Sequence, residues 1–196
     1  MTVSRETEAK LRLYLDMLRD WQTRMNLVAP STLDNAWERH IEDSLQLLDH
    51  LGDLSPKTWV DLGSGAGFPG IVVSTLRSDV SLHLIESRRK KCRFLEAVAE
   101  ALDISDRVTV HPARIESLSG PKADVISARA CASLSQLFDW GLRFQKPKTL
   151  WLLHKGRTAA DEIAEARKHF TFDCEQKPSQ TDSQASILLI RSVKRR

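Results

Sequence analysis

The sequence predicts an α/β fold: a mostly parallel sheet of seven strands with helices on both faces, preceded by an N-terminal helical extension. Three observations carry this. Short apolar runs alternate with helical patterns from residue 59 to 169, the order that builds a parallel sheet covered on both sides. Residues 59–70, Trp-Val-Asp-Leu-Gly-Ser-Gly-Ala-Gly-Phe-Pro-Gly, read as strand, glycine turn and helix start. The last two apolar runs are joined by a short polar loop, so they pair as a hairpin and make one end strand antiparallel.

The elements follow in order. Leu11, Leu15, Leu18, Trp21 and Met25 recur at helical spacing, with Arg12, Asp16, Arg19 and Asp20 on the other face, so residues 5–27 are expected as a helix. Ser31 is expected to cap a second helix whose buried stripe is Leu33, Trp37, Ile41, Leu45 and Leu48. Residues 52–57, with glycine and proline, link this segment (1–56) to the sheet (57–196); the whole is expected as a single domain. Strands are expected at 59–62, 81–85, 107–111, 123–127, 149–153, 171–176 and 186–193. Helices are expected at 69–77, 89–102, 133–143 and 159–169. Pro69 suits a first helical position, where its missing N–H costs nothing.

Composition narrows the class. At 196 residues and 41% hydrophobic content the chain can bury a sizeable core. No run approaches the ~18 apolar residues of a membrane span, and the first residues lack the signal-peptide pattern. Cys92, Cys131 and Cys174 are too few and too scattered for a disulfide framework or a metal site, so a reducing cytoplasm is the expected compartment. A net charge of +3, from 29 basic and 26 acidic residues, is too mild to declare nucleic-acid binding. The basic clusters Arg88-Arg89-Lys90-Lys91 and Lys194-Arg195-Arg196 are more telling. Four like charges at a helix start oppose the helix dipole, which suits phosphate binding; a solvated face is the alternative.

The glycine turn points to a nucleotide-type cofactor, since glycines let a ligand approach the main chain. Gly65 to Gly70 formally matches the dinucleotide fingerprint G-x-G-x-x-G. The wider run Asp61-x-Gly63-x-Gly65-x-Gly67 resembles motif I of methyltransferases that use S-adenosylmethionine (AdoMet). An acid before the glycines fits a ligand with a cationic methionine end and offers a pyrophosphate nothing. Glu86 ends the next strand, 23 residues after Gly63, and is placed to hold ribose hydroxyls. A solvated residue at a strand end is the plainer reading of Glu86.

Four further segments sharpen the resemblance: Met25-Asn26-Leu27-Val28, Arg39 to Ser44, Ser127 to Leu134, and Leu153-His154-Lys155-Gly156-Arg157. Together with Gly67-Phe68-Pro69-Gly70, these resemble the RsmG (GidB) family of bacterial small-subunit rRNA methyltransferases over nearly the whole chain. Val28 stands where a threonine is common, and Glu42 where an aliphatic is common. The resemblance implies a Rossmann-like class I AdoMet-dependent fold and methylation of N7 of one guanine in 16S rRNA, free or within a ribosomal subunit or assembly intermediate. It implies AdoMet contacts at Gly63, Phe68, Ile115, Glu116 and Arg129, beside Asp61, Gly65, Gly67 and Glu86 from the motif itself. Arg129, after the fourth strand, can hold the AdoMet carboxylate or an RNA phosphate. Ile115 is equally readable as core.

Guanine N7 is an unprotonated acceptor, so its methylation needs no general base, and no acid–base residue is expected. Asn26, His40, Asp43, Arg129 and Lys155 are the acceptor-side candidates. Plainer roles stand beside them: His40 as a structural partner, Asp43 paired with Arg39 four residues away, and Lys155 on a phosphate or toward Asp61. The basic residues 88–91 are expected to grip RNA phosphates; residues 194–196 could add further phosphate contacts, and a loose C-terminal tail explains them equally well. A nicotinamide-dependent oxidoreductase and a non-catalytic RNA-binding assembly protein are the competing readings.

Overall fold

The computed structural model describes residues 3–196. Helix α1 runs over Arg5–Gln22, capped by Ser4, whose hydroxyl accepts from the Thr7 N–H. It ends five residues before the expected boundary. The Gln22 side chain explains the stop: its Oε1 accepts from the Leu27 and Val28 N–H groups and its Nε2 donates to the Val28 carbonyl, folding the chain back at 23–28.

Ser31 does not cap a helix. It sits in a short 3₁₀ turn, Pro30–Thr32, and the next helical stretch opens as a π-helical turn over Trp37–Glu42. That turn passes into α2 (Asp43–Leu45) and a 3₁₀ turn at Gln46–His50. The wider π turn breaks the 3.6-residue phase. Leu33, Trp37 and Leu48 are therefore only partly buried, while Ala36, His40, Ile41, Ser44 and Leu47 face inward.

The sheet domain matches the expected order. β1 (Thr58–Leu62), α3 (Gly70–Leu76), β2 (Ser81–Ile85), α4 (Arg89–Ala101), β3 (Val108–His111) and β4 (Ala123–Arg129) come first. Then α5 (Leu134–Gly141), β5 (Gln145–Lys155), α6 (Ala159–Ala166), β6 (Phe170–Pro178) and β7 (Ser186–Arg195) close the chain. Pro69 is the N-cap of α3 rather than its first residue. The sheet order is β3-β2-β1-β4-β5-β7-β6, with β7 antiparallel to both its neighbours.

Alternate residues feed two cores. Trp59, Leu82, Leu84, Val125 and Leu152 pack beneath α1, α3 and α4. Val60, Leu62, Ile126, Trp151 and Leu153 pack beneath α5 and α6. The chain runs from β1 outward to β3, then returns to the other side of β1 as β4. Ligands bind at such a switch point, outside the carboxyl ends of the strands.

Candidate active site

An open crevice of about 1170 Å³ occupies that switch point. Five strand ends supply it: Gly63 to Ala66 after β1, Glu86 to Arg88 after β2, Ala113 to Glu116 after β3, Arg129 to Ala132 after β4, and His154 to Gly156 at β5. The loop Asn26–Ala29, Thr32, the π turn and the β6–β7 loop complete its walls.

Gly63 and Gly65 hold φ of +65° and +58°, the left-handed region that glycine enters without strain. A Cβ on Gly63 would lie 2.2 Å from the Cys131 sulfur, so this glycine lets the β1 and β4 loops close on each other. Cys131 remains a thiol, pushed up to about 11 by burial and then by Asp61 and Glu86. Glu86 lines the crevice as expected and is not a loose strand end. Its Oε2 accepts from the Gly65 N–H at 3.0 Å and its Oε1 from the Arg88 N–H at 2.7 Å. Each oxygen keeps acceptor capacity for a further hydroxyl. Phe68, Ile115 and Glu116 also line the crevice, Ile115 doubling as core and Glu116 on its exposed side.

Two motif residues do not line it. Gly67, at φ +95°, faces the protein: a Cβ there would meet Tyr14 Oη at 2.6 Å and Ile71 at 2.7 Å. It is the close-packing point between the glycine turn and α1, sealed by the Tyr14 hydroxyl donating to the Ala66 carbonyl. Asp61 is 1% exposed, beneath the crevice floor. Its Oδ1 accepts from Ser127 at 2.6 Å, and Ser127 in turn accepts from the Trp59 indole at 2.8 Å. Its Oδ2 makes no well-formed hydrogen bond among the described residues. Burial pushes the carboxyl up to about 6, outweighing Ser127, Ser64 and the Gly70 backbone, which favour the carboxylate. Any influence of Asp61 on a ligand is through the electrostatic field rather than direct.

On the opposite side, Arg129 is the keystone. Its NH1 donates to the Arg39 carbonyl and to Asp43 Oδ2, both at 3.1 Å, and its NH2 donates to His40 Nδ1 at 3.1 Å. Its guanidinium lies 5.0 Å over the Phe68 ring. Of five N–H donors, two remain for a carboxylate or phosphate. His40 is 5% exposed and stacks on Phe68 at 4.9 Å. Because Nδ1 accepts from Arg129, Nε2 carries the proton and donates to Thr32 at 2.9 Å. Burial, then Arg129, lowers His40 to about 4, so it is neutral.

Asp43 does not pair with Arg39. Its Oδ1 accepts from Gln46 and Thr181, and its Oδ2 takes Arg129. Arg39 instead pairs with Asp182 at 3.0 Å. Lys155 is not directed at Asp61 or left free for a phosphate. It is 8% exposed, and its ammonium donates to the Ala132 carbonyl at 2.6 Å and to Glu162 at 2.7 Å. The β4–β5 neighbourhood thus holds the loop carrying Cys131. The β6–β7 loop lies further along the same edge, and its crevice residues escaped sequence reasoning.

Asn26 sits between the crevice and a smaller basic hollow of about 410 Å³ formed with Met25 and Arg88 to Lys91. Arg88, Arg89 and Lys90 are exposed, and no acid pairs with residues 88–91 among the described residues. Lys194 to Arg196 lie elsewhere. β7 starts beside Lys155 and runs away from the crevice, so Lys194 is on the order of 25 Å from its mouth. That cluster is no part of this site, and Arg195 is held by Asp139.

Sequence reasoning also missed Tyr14, Trp140 and Asp182. Tyr14, the only tyrosine, falls on the apolar stripe of α1, where a hydroxyl needs a partner. Trp140 lines the crevice together with Ile115 and Glu116. Asp182 sits in a polar loop with no readable pattern.

No helix among the described residues is long and apolar enough to cross a membrane. No group of three or more potential metal ligands occurs among them.

Solved structures with this architecture include an AdoMet-dependent O-methyltransferase from Thermotoga maritima (TM-score 0.62, 14% identity, 93% of this chain and 72% of that one). An AdoMet-dependent methyltransferase from Aquifex aeolicus is similar (TM-score 0.63, 13% identity, 84% and 94%). At such identities the likeness establishes the Rossmann-like methyltransferase fold. Two relatives named ribosomal RNA small subunit methyltransferase G are far nearer in sequence. That of Rhizorhabdus wittichii is 45% identical over 194 residues, 99% of this chain and 89% of the relative. That of Rhodospirillum centenum is 46% identical over 191 residues, 97% and 87%. A family model described as GidB, rRNA small subunit methyltransferase G, matches residues 7–190, and the chain belongs to that family.

Proposed function

We propose that this protein transfers the methyl group of AdoMet to N7 of a guanine in small-subunit (16S) rRNA, held free or within a subunit. The observation that carries the reading is the crevice itself. Gly63 and Gly65 open the backbone, Glu86 presents both carboxylate oxygens, and the cavity exceeds the ~300–1,000 Å³ of an ordinary small-molecule site, leaving room for a base. Gly63, Gly65, Phe68, Glu86, Ile115 and Glu116 would hold the cofactor, with Trp140 beside them. When bound, AdoMet supplies an activated methyl group on a cationic sulfur.

The chain's own residues then need only position the acceptor. N7 carries a free lone pair, so no residue must take a proton from it. Three side chains on the acceptor side support this reading. Both nitrogens of His40 are committed, Lys155 is neutralised by Glu162, and Arg129 is pinned by Asp43 and His40. A fixed wall of this kind supports in-line alignment, which contributes up to ~7–11 kcal/mol in favourable cases. Asn26 stands at the mouth between crevice and basic hollow, where it can meet a base edge. Arg88 to Lys91 would hold the flanking phosphates of a splayed-out nucleotide.

Calorimetry with AdoMet and with NAD, followed by transfer of a tritiated methyl group to small-subunit rRNA, tests the reading. AdoMet binding with incorporation into RNA is expected. Binding of NAD alone would support the oxidoreductase, and AdoMet binding without incorporation would support an assembly protein.

A further inference from the structure

We propose that Asp182, on the loop joining β6 and β7, selects guanine by accepting hydrogen bonds from its N1–H and its N2 amino group. This rests on the N7 reading above and adds to it the group that recognises the base.

The geometry of guanine sets the requirement. N7 lies on the opposite edge of the ring from N1 and N2. With N7 turned toward the cofactor side, the Watson–Crick edge points away from it. The cofactor wall is built after β1, β2 and β3, from Gly63, Gly65, Glu86 and Ile115. The far wall is therefore formed beyond β5, where Asp182 and Ala185 line the crevice together with Arg39 and Thr32.

That wall is built rather than loose. Gln46 Nε2 donates to Ser179 Oγ at 3.3 Å, and the Gln180 N–H donates to Gln46 Oε1 at 3.0 Å. Thr181 Oγ1 donates to Asp43 Oδ1 at 2.9 Å. The Asp182 carboxylate is fixed by Arg39 on Oδ2 at 3.0 Å and by the Gln184 N–H on Oδ1 at 2.9 Å. Its side chain is 34% exposed, and each oxygen retains a lone pair. The Gln184 N–H and Arg39 also hold its carboxyl below the ordinary range, so it is anionic at neutral pH.

The other acids lining the crevice are committed or misplaced. Asp43 is occupied by Gln46, Thr181 and Arg129. Glu162 takes Lys155 and the Leu134 N–H. Glu86 and Glu116 stand on the cofactor side. A carboxylate is the right reader, because guanine offers two adjacent donors on that edge. Adenine offers an acceptor at N1, which the carboxylate repels. Inosine lacks the N2 amino group and loses one bond.

The test uses the full chain and rRNA in which the methylated guanine, located with the parent protein, is replaced by inosine, both free and reconstituted into small subunits. The parent is expected to prefer guanine over inosine by about tenfold to a hundredfold in kcat/KM, the value of a hydrogen bond to a charged group. Asp182→Asn should lower kcat/KM on guanine by a similar factor and bring the guanine-to-inosine ratio near one. AdoMet affinity, read by calorimetry, should stay unchanged, which also reports that the variant folds. Asp182→Glu should restore part of the preference. Arg39→Gln, which removes the ion-pair partner but keeps the carboxylate, should keep the ratio even if rates fall. An unchanged guanine-to-inosine ratio in Asp182→Asn overturns the proposal while leaving the methyltransferase reading intact. Failure of the parent to methylate any rRNA overturns that reading instead.

Discussion

At the scale of single residues, the site depends on groups whose placement has a measurable cost. Asp61 is the plainest. It is fully buried, one oxygen makes no well-formed hydrogen bond among the described residues, and its carboxyl is raised to about 6. A raised carboxyl binds protons more tightly when folded, so its contribution is most favourable near pH 4 and is lost as pH rises through 6. Asp61→Asn keeps the acceptor for Ser127 and removes the buried charge. It should stabilise the protein by about 1–3 kcal/mol at pH 8, a rise of several degrees in Tm, and by nothing at pH 4. Equal gains at both pH values in scanning calorimetry would contradict this. The glycines should separate in the same way. Gly67→Ala places a methyl group against Tyr14 and Ile71 at φ +95° and should cost about 2–4 kcal/mol. Gly65→Ala meets nothing closer than 3.8 Å and should cost only about 1–2 kcal/mol, the penalty of its positive φ. Urea unfolding of the two variants gives the comparison.

At the scale of elements, α4 shows stability set against binding. Its first turn contains no acid and opens with Arg89, Lys90 and Lys91, charges that its dipole opposes. Reversing Arg89 and Lys90, which do not line the crevice, to Glu should raise helix stability by about 0.3–1 kcal/mol for each charge. The same change should weaken RNA binding and flatten its salt dependence, by close to one unit of log-log slope for each phosphate no longer neutralised. AdoMet affinity should not move. Filter binding across a salt series checks this, and unchanged RNA affinity at low salt would remove the cluster from the interface. The strands and the helices between them were legible because their periods are local: Trp59 to Leu62 and Phe94 to Val98 carry their own pattern. The π turn at Trp37–Glu42 was not legible, because a shift of one residue leaves composition unchanged and is offset by tertiary contacts, among them those of His40 with Phe68 and Arg129 and of Arg39 with Arg129 and Asp182. The end of α1 was hidden for the same reason, since Gln22 acts through backbone groups five and six residues away. The surface pairs in and just after α1, such as Arg12 with Glu8 and Arg24 with Asp20, follow the local helix rule, but the crevice pair does not: Asp43 found Arg129, 86 residues distant, instead of Arg39.

At the scale of the whole molecule, sheet order converts these pieces into one crevice. Glu86 and Arg129 were legible as crevice residues because each sits at a strand end, and strand ends converge at the switch point, whereas Ile115 came from the family resemblance alone. Asp182 and Trp140 were not, since their places depend on how the closing hairpin and α5 fold back. The same topology carries Lys194 to Arg196 to the far end of the sheet, which adjacency in composition does not reveal. An acceptor nitrogen that gives up no proton makes a kinetic expectation: kcat/KM for methyl transfer should be flat from about pH 7 to 8.5, above the range where Asp61 changes charge. A bell-shaped profile with an inflection near 7 would point to a proton acceptor at the site. The central claim is tested most directly by nucleoside mass spectrometry of small-subunit rRNA, taken from cells lacking this protein and incubated with the protein and AdoMet. The expected product is 7-methylguanosine at one position. Methylation of another atom or base, or no methylated nucleoside, would contradict it.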